Sequence, residues 1–484
     1  MSPRDLLHAP CWQGVDLGHP LPDHPHAVSV ALPRWQDVIA YEEQEHSCRQ
    51  ALQTVYPRFG QHPLVAELSQ RVAQPGLIAW PFPTEAVAEA AQQHCLRQAP
   101  GATTELKGFS GLTVLLCDAG ASPHAKAFWQ HTGLGATSRQ AAIALGREQA
   151  PHPDNAALAR RLICERLAAI HGCDPGLISL HPSGMSGLHA ALCIIERLNP
   201  GRPTLQLGFP YVDVLKQPQV IFHGGELLQS ADLNEIGAAL DRIKPGAVIV
   251  ELPSNPLLRC VDLPAVTRLA HDRGIPVIAD DTIGTALNLS VLPYVDLLFT
   301  SLTKSFAGRG DVMAGSLLMS SASPWHQQFV DAMNPPARLN DADAIALEEA
   351  SRDVLDRVPQ LDANCLTLAH RLEAHPAVKS VMHPKDCTIF RSLMRSGAGF
   401  GCLLSFELHE GTAKAQRVYD NLRISKGPSL GTSFSLACPY TLLAHYDELD
   451  WAADCGVPAH LLRVSVGLED PDELWQRFST ALVS

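Results

Sequence analysis

Carboxylates, an amide, hydroxyls and one lysine gather at the ends of three short apolar runs between Ala247 and Gly315. Such a set can hold an anion, share a proton with a basic nitrogen and offer an amine nucleophile. The runs are AVIVELPSNPLL, IPVIADDT and DLLFTSLTKSFAG, ending respectively in Glu251, Ser254 and Asn255; in Asp280, Asp281 and Thr282; and in Ser301, Thr303 and Lys304. Each opening stretch of Val, Ile, Leu or Phe reads as a strand buried on both faces. The intervening LPAVTRLAHDRG predicts a helix, with Val266, Leu269 and Ala270 on one side and Gly274 as its stop. Strand, helix and strand in that order bring the polar ends to the carboxyl edge of a parallel sheet, where open α/β sheets bind their ligands.

A lysine that follows a strand is ordinarily a solvated surface residue. Lys304 differs in lying within the largely uncharged FTSLTKSFAG, and burial there would make its amine a usable nucleophile and base. Asp280 would protonate a heteroaromatic nitrogen, while Ser301 and Thr303 would donate to a phosphate. LISLHPSGMSGLHAALCIIERLN adds a strand-to-helix turn whose helix start, at Gly184 and Met185, offers amides to an anion. Taken alone that turn is ordinary. Alongside Lys304, Asp280, Ser301 and Thr303 it describes a site for pyridoxal 5'-phosphate. Gly133-Leu134-Gly135 lacks the third glycine and the preceding strand of a dinucleotide loop, so it carries little weight.

The 484 residues are enough for several domains with large cores. Apolar and charged fractions suit a soluble globular chain, and no apolar run approaches a membrane span. MSPRDLLHAPCW shows no signal-peptide pattern. A net charge of −13 without a sustained basic run argues against nucleic acid and anionic membranes as partners. Thirteen scattered cysteines, none in a C-x-x-C pair, read as reduced thiols of a cytoplasmic protein. His19, His24 and His26 lie in a proline-rich loop and read as polar surface, so no metal is expected. A helix is expected to bury Leu158, Leu162, Ile163 and Leu167. After Gly315, a long helical pattern broken near Pro359 precedes the strands VKSVMHP, GCLLSFELHE and LLRVSVG, and EDPDELWQRFSTAL closes with a helix.

ELPSNPLL, ADDT, SLTKSFAGRGDVMAG, SGM and LLRVSVGLED together resemble the pyridoxal-phosphate enzymes of cysteine and methionine metabolism. YPRF, FWQHTG, GFPYVD and KGPSLGTSFSLACPYTLLAHY extend the likeness over nearly the whole chain, toward the long, fungal-type cystathionine gamma-synthases. The resemblance implies fold-type I, an aminotransferase-like α/β fold with a large, mostly parallel sheet domain and a smaller C-terminal α/β domain. It divides the chain into an N-terminal arm and inter-subunit segment (1–74), an inserted α/β segment (75–150), the large cofactor domain (151–320) and the small domain (321–484). It also implies a homotetramer of site-sharing dimers.

Residue by residue, the resemblance makes Lys304 the Schiff-base lysine and Asp280 the partner of the pyridine nitrogen. Ser301, Thr303, Gly184 and Met185 would hold the phosphate, and Asn255 would face the cofactor's 3-oxygen or the substrate. Arg463 would clamp the substrate carboxylate, a task for a planar bidentate fork, with Ser435 nearby. Tyr56 and Arg58 match a Tyr-x-Arg that reaches the neighbouring subunit's phosphate, although Arg139 is a second arginine able to do so. Phe209 or Tyr211 would stack on the ring, and only Tyr211 has a hydroxyl to carry protons. The family's Gly-Val-Glu is here Thr432-Ser433-Phe434. The implied reaction is γ-replacement on an O-activated homoserine by cysteine, giving cystathionine for methionine biosynthesis. Its alternatives are another thiol or a carbon acid as nucleophile, a lyase outcome, or a non-catalytic cofactor-binding paralogue.

Overall fold

The computed structural model describes residues 3–57 and 59–483; Arg58 and its expected role lie outside them. Among the described residues the strands gather into three sheets. The first is antiparallel, with β1 (Ile78–Phe82), β2 (Thr104–Phe109) and β3 (Leu112–Cys117) in the order β1-β3-β2. The second holds β4 (Ile178–His181), β5 (Thr204–Leu207), β6 (Gly225–Leu228), β7 (Ala247–Glu251), β8 (Val277–Asp280), β9 (Leu297–Ser301) and β10 (Gly315–Met319). Its order is β4-β10-β9-β8-β7-β5-β6, with only β10 running against its neighbours. The third contains β11 (Val378–Met382), β12 (Leu403–Leu408), β13 (Ser425–Lys426), β14 (Leu436–Pro439) and β15 (Leu462–Ser465), ordered β11-β12-β15-β14-β13. This is the fold-type I α/β architecture, a large mostly parallel sheet with a smaller C-terminal sheet beside it.

The large sheet explains its own sequence. Val248 and Val250 pack on one face with Ile163, Leu167 and Val266, while Ala247 and Ile249 pack on the other with Leu188, Leu192 and Ile195. A strand covered on both sides needs apolar residues at every position, hence AVIV. The helix Gly184–Leu198 covers the second face; Pro153–His171 and Leu263–His271 cover the first.

Two helical expectations are corrected. Leu158 is exposed, because the buried stripe of Pro153–His171 follows Ala159, Ile163 and Leu167 at four-residue steps and Leu158 falls off it. The long helical pattern breaks at 351–353, not at Pro359, which lies inside the helix Val354–Glu373. Proline there forfeits only a bond to the carbonyl of Leu355, on an exposed turn where water can replace it.

The arm joins the small domain's core. Val30, Leu32, Trp35 and Val38 pack with Leu404, Tyr419 and Ile424. The Tyr419 hydroxyl donates to the Leu32 carbonyl at 2.7 Å, and the buried Lys426 amine donates to that of Pro33 at 2.7 Å. Among the described residues, no helix is long and apolar enough to cross a membrane.

Candidate active site

At the carboxyl edge of the large sheet the ends of β7, β8 and β9 lie side by side, with Glu251 paired to Asp280 and Asp280 to Phe299 in register. One cleft there is lined by Ser183, Gly184, Met185, Ser301, Thr303, Lys304, Glu251, Asn255, Asp280 and Arg463. The sequence has therefore brought most of its expected site residues together.

Asp280 is buried, and its Oδ1 accepts the Thr282 amide at 2.9 Å. Burial pushes its carboxyl up to about 6 against the opposing pull of Thr282, so a positive ring nitrogen is the partner such a carboxyl lacks. Glu251 is raised well above the ordinary carboxylate range by burial and by the neighbouring Asp280. Its Oε2 accepts two backbone amides at 3.0 Å, from Tyr211 and from Asn255. One carboxylate thus holds the loops that follow β5 and β7.

The turn after β4 is as tight as an anion cradle requires. Ser183 caps the helix Gly184–Leu198, its Oγ accepting the Ser186 amide at 3.1 Å. A Cβ at Gly184 would stand 2.7 Å from the Ser301 Cβ and 2.9 Å from its Cα, so only glycine lets the helix start abut β9. Ser183 Oγ also donates to the Gly133 carbonyl at 3.0 Å, which brings the Gly133-Leu134-Gly135 stretch to the cleft wall. Helix amides at one end, an acid with a raised pKa at the other and a lysine between them fit pyridoxal phosphate.

Lys304 follows β9, and its amine donates to the Tyr56 hydroxyl at 3.1 Å and to Ser429 Oγ at 3.0 Å. Arg463, on β15, donates through Nη1 to Asn255 Oδ1 at 3.1 Å and through Nη2 to the Ser429 carbonyl at 3.0 Å. Its guanidinium lies 4.9 Å from the Tyr440 ring centre. These contacts hold the fork in one plane at the edge of the cleft.

Four expected residues take other places. Phe209 is not among the residues lining the cleft; it packs against His445 and Trp451, with ring centres 5.2 and 5.4 Å away, whereas Tyr211 lines the cleft wall. Arg139 is buried and bound within its own chain, donating to the Asp311 carbonyl at 2.7 Å and to Asp343 at 3.0 Å, so its charge already has a carboxylate partner. Ser435 lies below the site, bonded through its hydroxyl to Glu469 at 2.8 Å and through its amide to the same carboxylate at 2.7 Å. Tyr56, expected across a subunit boundary, stands in its own chain's cleft. Phe434 packs with Leu6, Leu21 and Leu436, so the position that departs from the family's glutamate faces an apolar cluster.

Sequence reasoning missed Ser429 and gave no role to Glu251. Glu251 carried a signal, since an acid closing a fully apolar strand must find a partner at the sheet edge. Ser429 carried none beyond its place in GPSLGTS, because its backbone adopts φ 99°, which a sequence does not announce for serine.

Comparisons with known proteins identify the family. A family model described as Cys/Met metabolism PLP-dependent enzyme matches residues 158–483, and one described as fungal trans-sulfuration enzyme, N-terminal domain, matches residues 62–137. The chain is 34% identical to an L-2-amino-4-chloropent-4-enoate dechlorinase/desaturase of Streptantibioticus cattleyicolor, over 96% of this chain and 97% of that protein. It is 29% identical to a cystathionine gamma-synthase of Neurospora crassa, over 96% and 98%. Among solved structures, a cystathionine gamma synthase of Xanthomonas oryzae in complex with aminoacrylate and cysteine matches with a TM-score of 0.60 and 25% identity, covering 70% of this chain and 89% of that one. The chain belongs to the Cys/Met metabolism family of PLP-dependent enzymes, and its cofactor is pyridoxal 5'-phosphate.

Proposed function

We propose that the protein replaces the γ-substituent of an O-activated homoserine with the thiol of cysteine, forming cystathionine, in the cytoplasm and as a homotetramer. One observation carries the reading: an amine, a ring-nitrogen acid and a carboxylate fork, Lys304, Asp280 and Arg463, converge on one cleft beside the Gly184 turn. When bound, pyridoxal phosphate supplies an electron sink that acidifies carbons adjoining the amine it carries.

The chain's residues have separate tasks in this proposal. Asp280, buried at the end of β8, holds a proton on the pyridine nitrogen. Gly184, Met185, Ser301 and Thr303 anchor the phosphate. Arg463 and Asn255 fix the substrate carboxylate, and that fixes which bond at Cα lies across the ring. Lys304 moves the protons at Cα and Cβ, and Tyr211 lines the wall as a second hydroxyl. Once the Cα and Cβ protons have been taken up, the γ-oxygen leaves with its activating group and the bonding electrons; the cysteine sulfur then bonds to Cγ, losing its own proton, and protons return to Cβ and Cα.

A second reading, γ-elimination without an external nucleophile, is supported by the high coverage of the dechlorinase/desaturase relative. A carbon acid or another thiol in place of cysteine gives a third product class. A non-catalytic cofactor-binding role fits less well with a lysine amine held by two hydroxyls.

The experiment offers acetyl-, succinyl- and phosphohomoserine against cysteine, sulfide and a β-keto acid, with products identified by mass. Cystathionine is the expected product. Oxobutyrate and ammonia with no adduct would replace the proposal by the elimination reading, and wild type that stays colourless after loading with cofactor would remove the enzymatic reading altogether.

A further inference from the structure

We propose that Cys260 and Cys387 form a thiol–disulfide exchange site for low-molecular-weight disulfides, at which oxidation ties the Asn255 loop covalently to the segment leading into β12. The inference does not depend on which substituent the cleft replaces.

The two cysteines come from different parts of the chain and meet directly. Cys260 ends the loop after β7, which Ser254 closes: its amide donates to the Arg259 carbonyl at 2.9 Å, and its Oγ accepts the Arg259 amide at 3.2 Å. Cys387 lies between the turn Pro384–Asp386 and the short helix Thr388–Leu393. This stretch leaves the small sheet after β11 and leans on the large domain, where Phe390 and Leu393 join the core that buries Cys260, and Cys387 packs against it. The Ser290 amide donates to the Leu393 carbonyl at 2.8 Å, and the Arg395 amide to that of Asn288 at 2.8 Å. Both cysteines are free thiols, hydrogen-bonded to each other.

The pair is chemically unequal. The Cys387 sulfur accepts from the Cys260 thiol and, at 3.4 Å, from the Phe390 amide, with the Ile389 and Cys260 amides also directed at it. Donors stabilise a thiolate. They bring Cys387 down to about 6, against the opposing effect of burial. The same hydrogen bond, with burial, pushes Cys260 up. Nearby charges are occupied elsewhere: Lys385 pairs with Glu373 at 3.0 Å and with Asp386, Arg391 donates to the Lys385 carbonyl at 2.7 Å, and Asp262 accepts the Ala265 amide at 3.0 Å. Arg259, before Cys260, is exposed. Cys387 is half-buried and Cys260 buried, so the thiolate is also the more accessible sulfur, as an attacking group must be.

In the exchange, the Cys387 thiolate attacks one sulfur of the small disulfide. The S–S bond breaks, and the departing thiolate keeps its electron pair. Cys260 then loses its proton to that thiolate and attacks the Cys387 sulfur, expelling the second small thiol. The two protein thiols are oxidised and one small disulfide is reduced to two thiols. In a reducing compartment such a bond is transient.

The tie falls on the substrate side of the cleft. The same loop already meets the small sheet twice, through Arg463 on Asn255 Oδ1 at 3.1 Å and through Ser405 Oγ on the Pro256 carbonyl at 2.9 Å. Ser405 and Arg463 are paired across β12 and β15. Oxidation adds a covalent link at the far end of that loop, away from Lys304 and Asp280.

The test uses the full-length holoenzyme with oxidised glutathione, followed by acid quenching, alkylation and peptide mapping by mass without reduction. A peptide joining Cys260 to Cys387 within one chain is expected, reversed by dithiothreitol. C260S should instead accumulate glutathione on Cys387, and C387S should leave Cys260 unmodified over the same time. No joined peptide in wild type, a link between two chains, or glutathione on Cys260 in C387S as fast as on Cys387 in C260S overturns the proposal. A second readout needs no variant: alkylation of Cys387 by iodoacetamide, followed against pH in wild type, should rise through about 6. A rise only near about 8.5, the value of an ordinary thiol, overturns the assignment of Cys387 as the attacking sulfur.

Discussion

Replacing Arg463 by alanine should separate substrate binding from cofactor binding more cleanly than any other change in the cleft. The guanidinium is buried, bonded to Asn255 Oδ1 and the Ser429 carbonyl, and stacked near Tyr440. A substrate carboxylate gripped by such a fork gains about two charge-assisted hydrogen bonds, each worth about 1.5–3 kcal/mol. Their loss amounts to about 3–6 kcal/mol, or roughly 10²- to 10⁴-fold in kcat/KM. Lysine at 463 keeps the charge but not the planar fork, so R463K should fall between R463A and wild type. The assay is steady-state turnover of the amino-acid substrate alongside visible absorbance of the lysine-bound cofactor. The loss should appear mainly in KM, with cofactor content near that of wild type. An R463A enzyme with unchanged KM, or one whose cofactor content falls in proportion to its activity, would refute the assignment of Arg463 to the substrate.

Two further changes probe the cofactor's two ends. In G184A the added methyl meets Ser301 at 2.7 and 2.9 Å, so the helix start must withdraw; this overpacking costs about 1–3 kcal/mol of stability, and a fluorescence titration should show weaker cofactor binding, whereas wild-type affinity would show that the cradle tolerates a side chain. For Asp280 the sign follows from a carboxyl raised from 3.8 to about 6: its contribution to stability is fully present below about pH 4 and is lost as pH rises through 6. Stripped of cofactor, D280N should therefore be more stable than wild type at pH 7, by up to about 3 kcal/mol, and should lose that advantage near pH 4. Equal denaturation midpoints at both pH values would show that Asp280 is not desolvated.

The sheet edge was legible because a strand buried on both faces must be apolar throughout and stop where the polar edge begins, so Glu251, Asp280 and Ser301 mark themselves as strand ends. The Gly184 turn was legible for a related reason, since a capping serine followed by glycine announces a helix start against something close. Contacts made by the arm were not legible. Nothing local to VYPRF says which lysine Tyr56 meets, because that depends on bonds from residues 28 and 32 to residues 310 and 426. Phe209 and Tyr211 could not be separated by type or spacing either. Gly208 at φ 79° turns the chain, Glu251 holds the Tyr211 amide at the start of the helix Val212–Ile221, and Phe209 is left to the His445 and Trp451 rings. Arg139 misled because a cation in a glycine-rich stretch looks available until its carboxylate partner, Asp343, is found 204 residues away.

Ser429 shows how the lysine and the carboxylate fork are tied together. Its hydroxyl accepts from the Lys304 amine and its carbonyl accepts from Arg463. At φ 99° its backbone is in a region that a side chain disfavours, and such a conformation persists only where its surroundings hold it. Those surroundings are specific. Two residues on, Gly431 at φ 75° leaves no room for a Cβ, which would stand 2.4 Å from the Ser305 amide, and its own amide donates to Ser465 Oγ at 2.7 Å. The segment is therefore pinned between the residue after the lysine and the strand that carries the arginine. In that position one serine can send its hydroxyl toward the amine and its carbonyl toward the guanidinium. The separation between the amine that would move the Cα and Cβ protons and the guanidinium that would grip the carboxylate is thus set through a single residue, and base and carboxylate fork are registered against the same short piece of backbone.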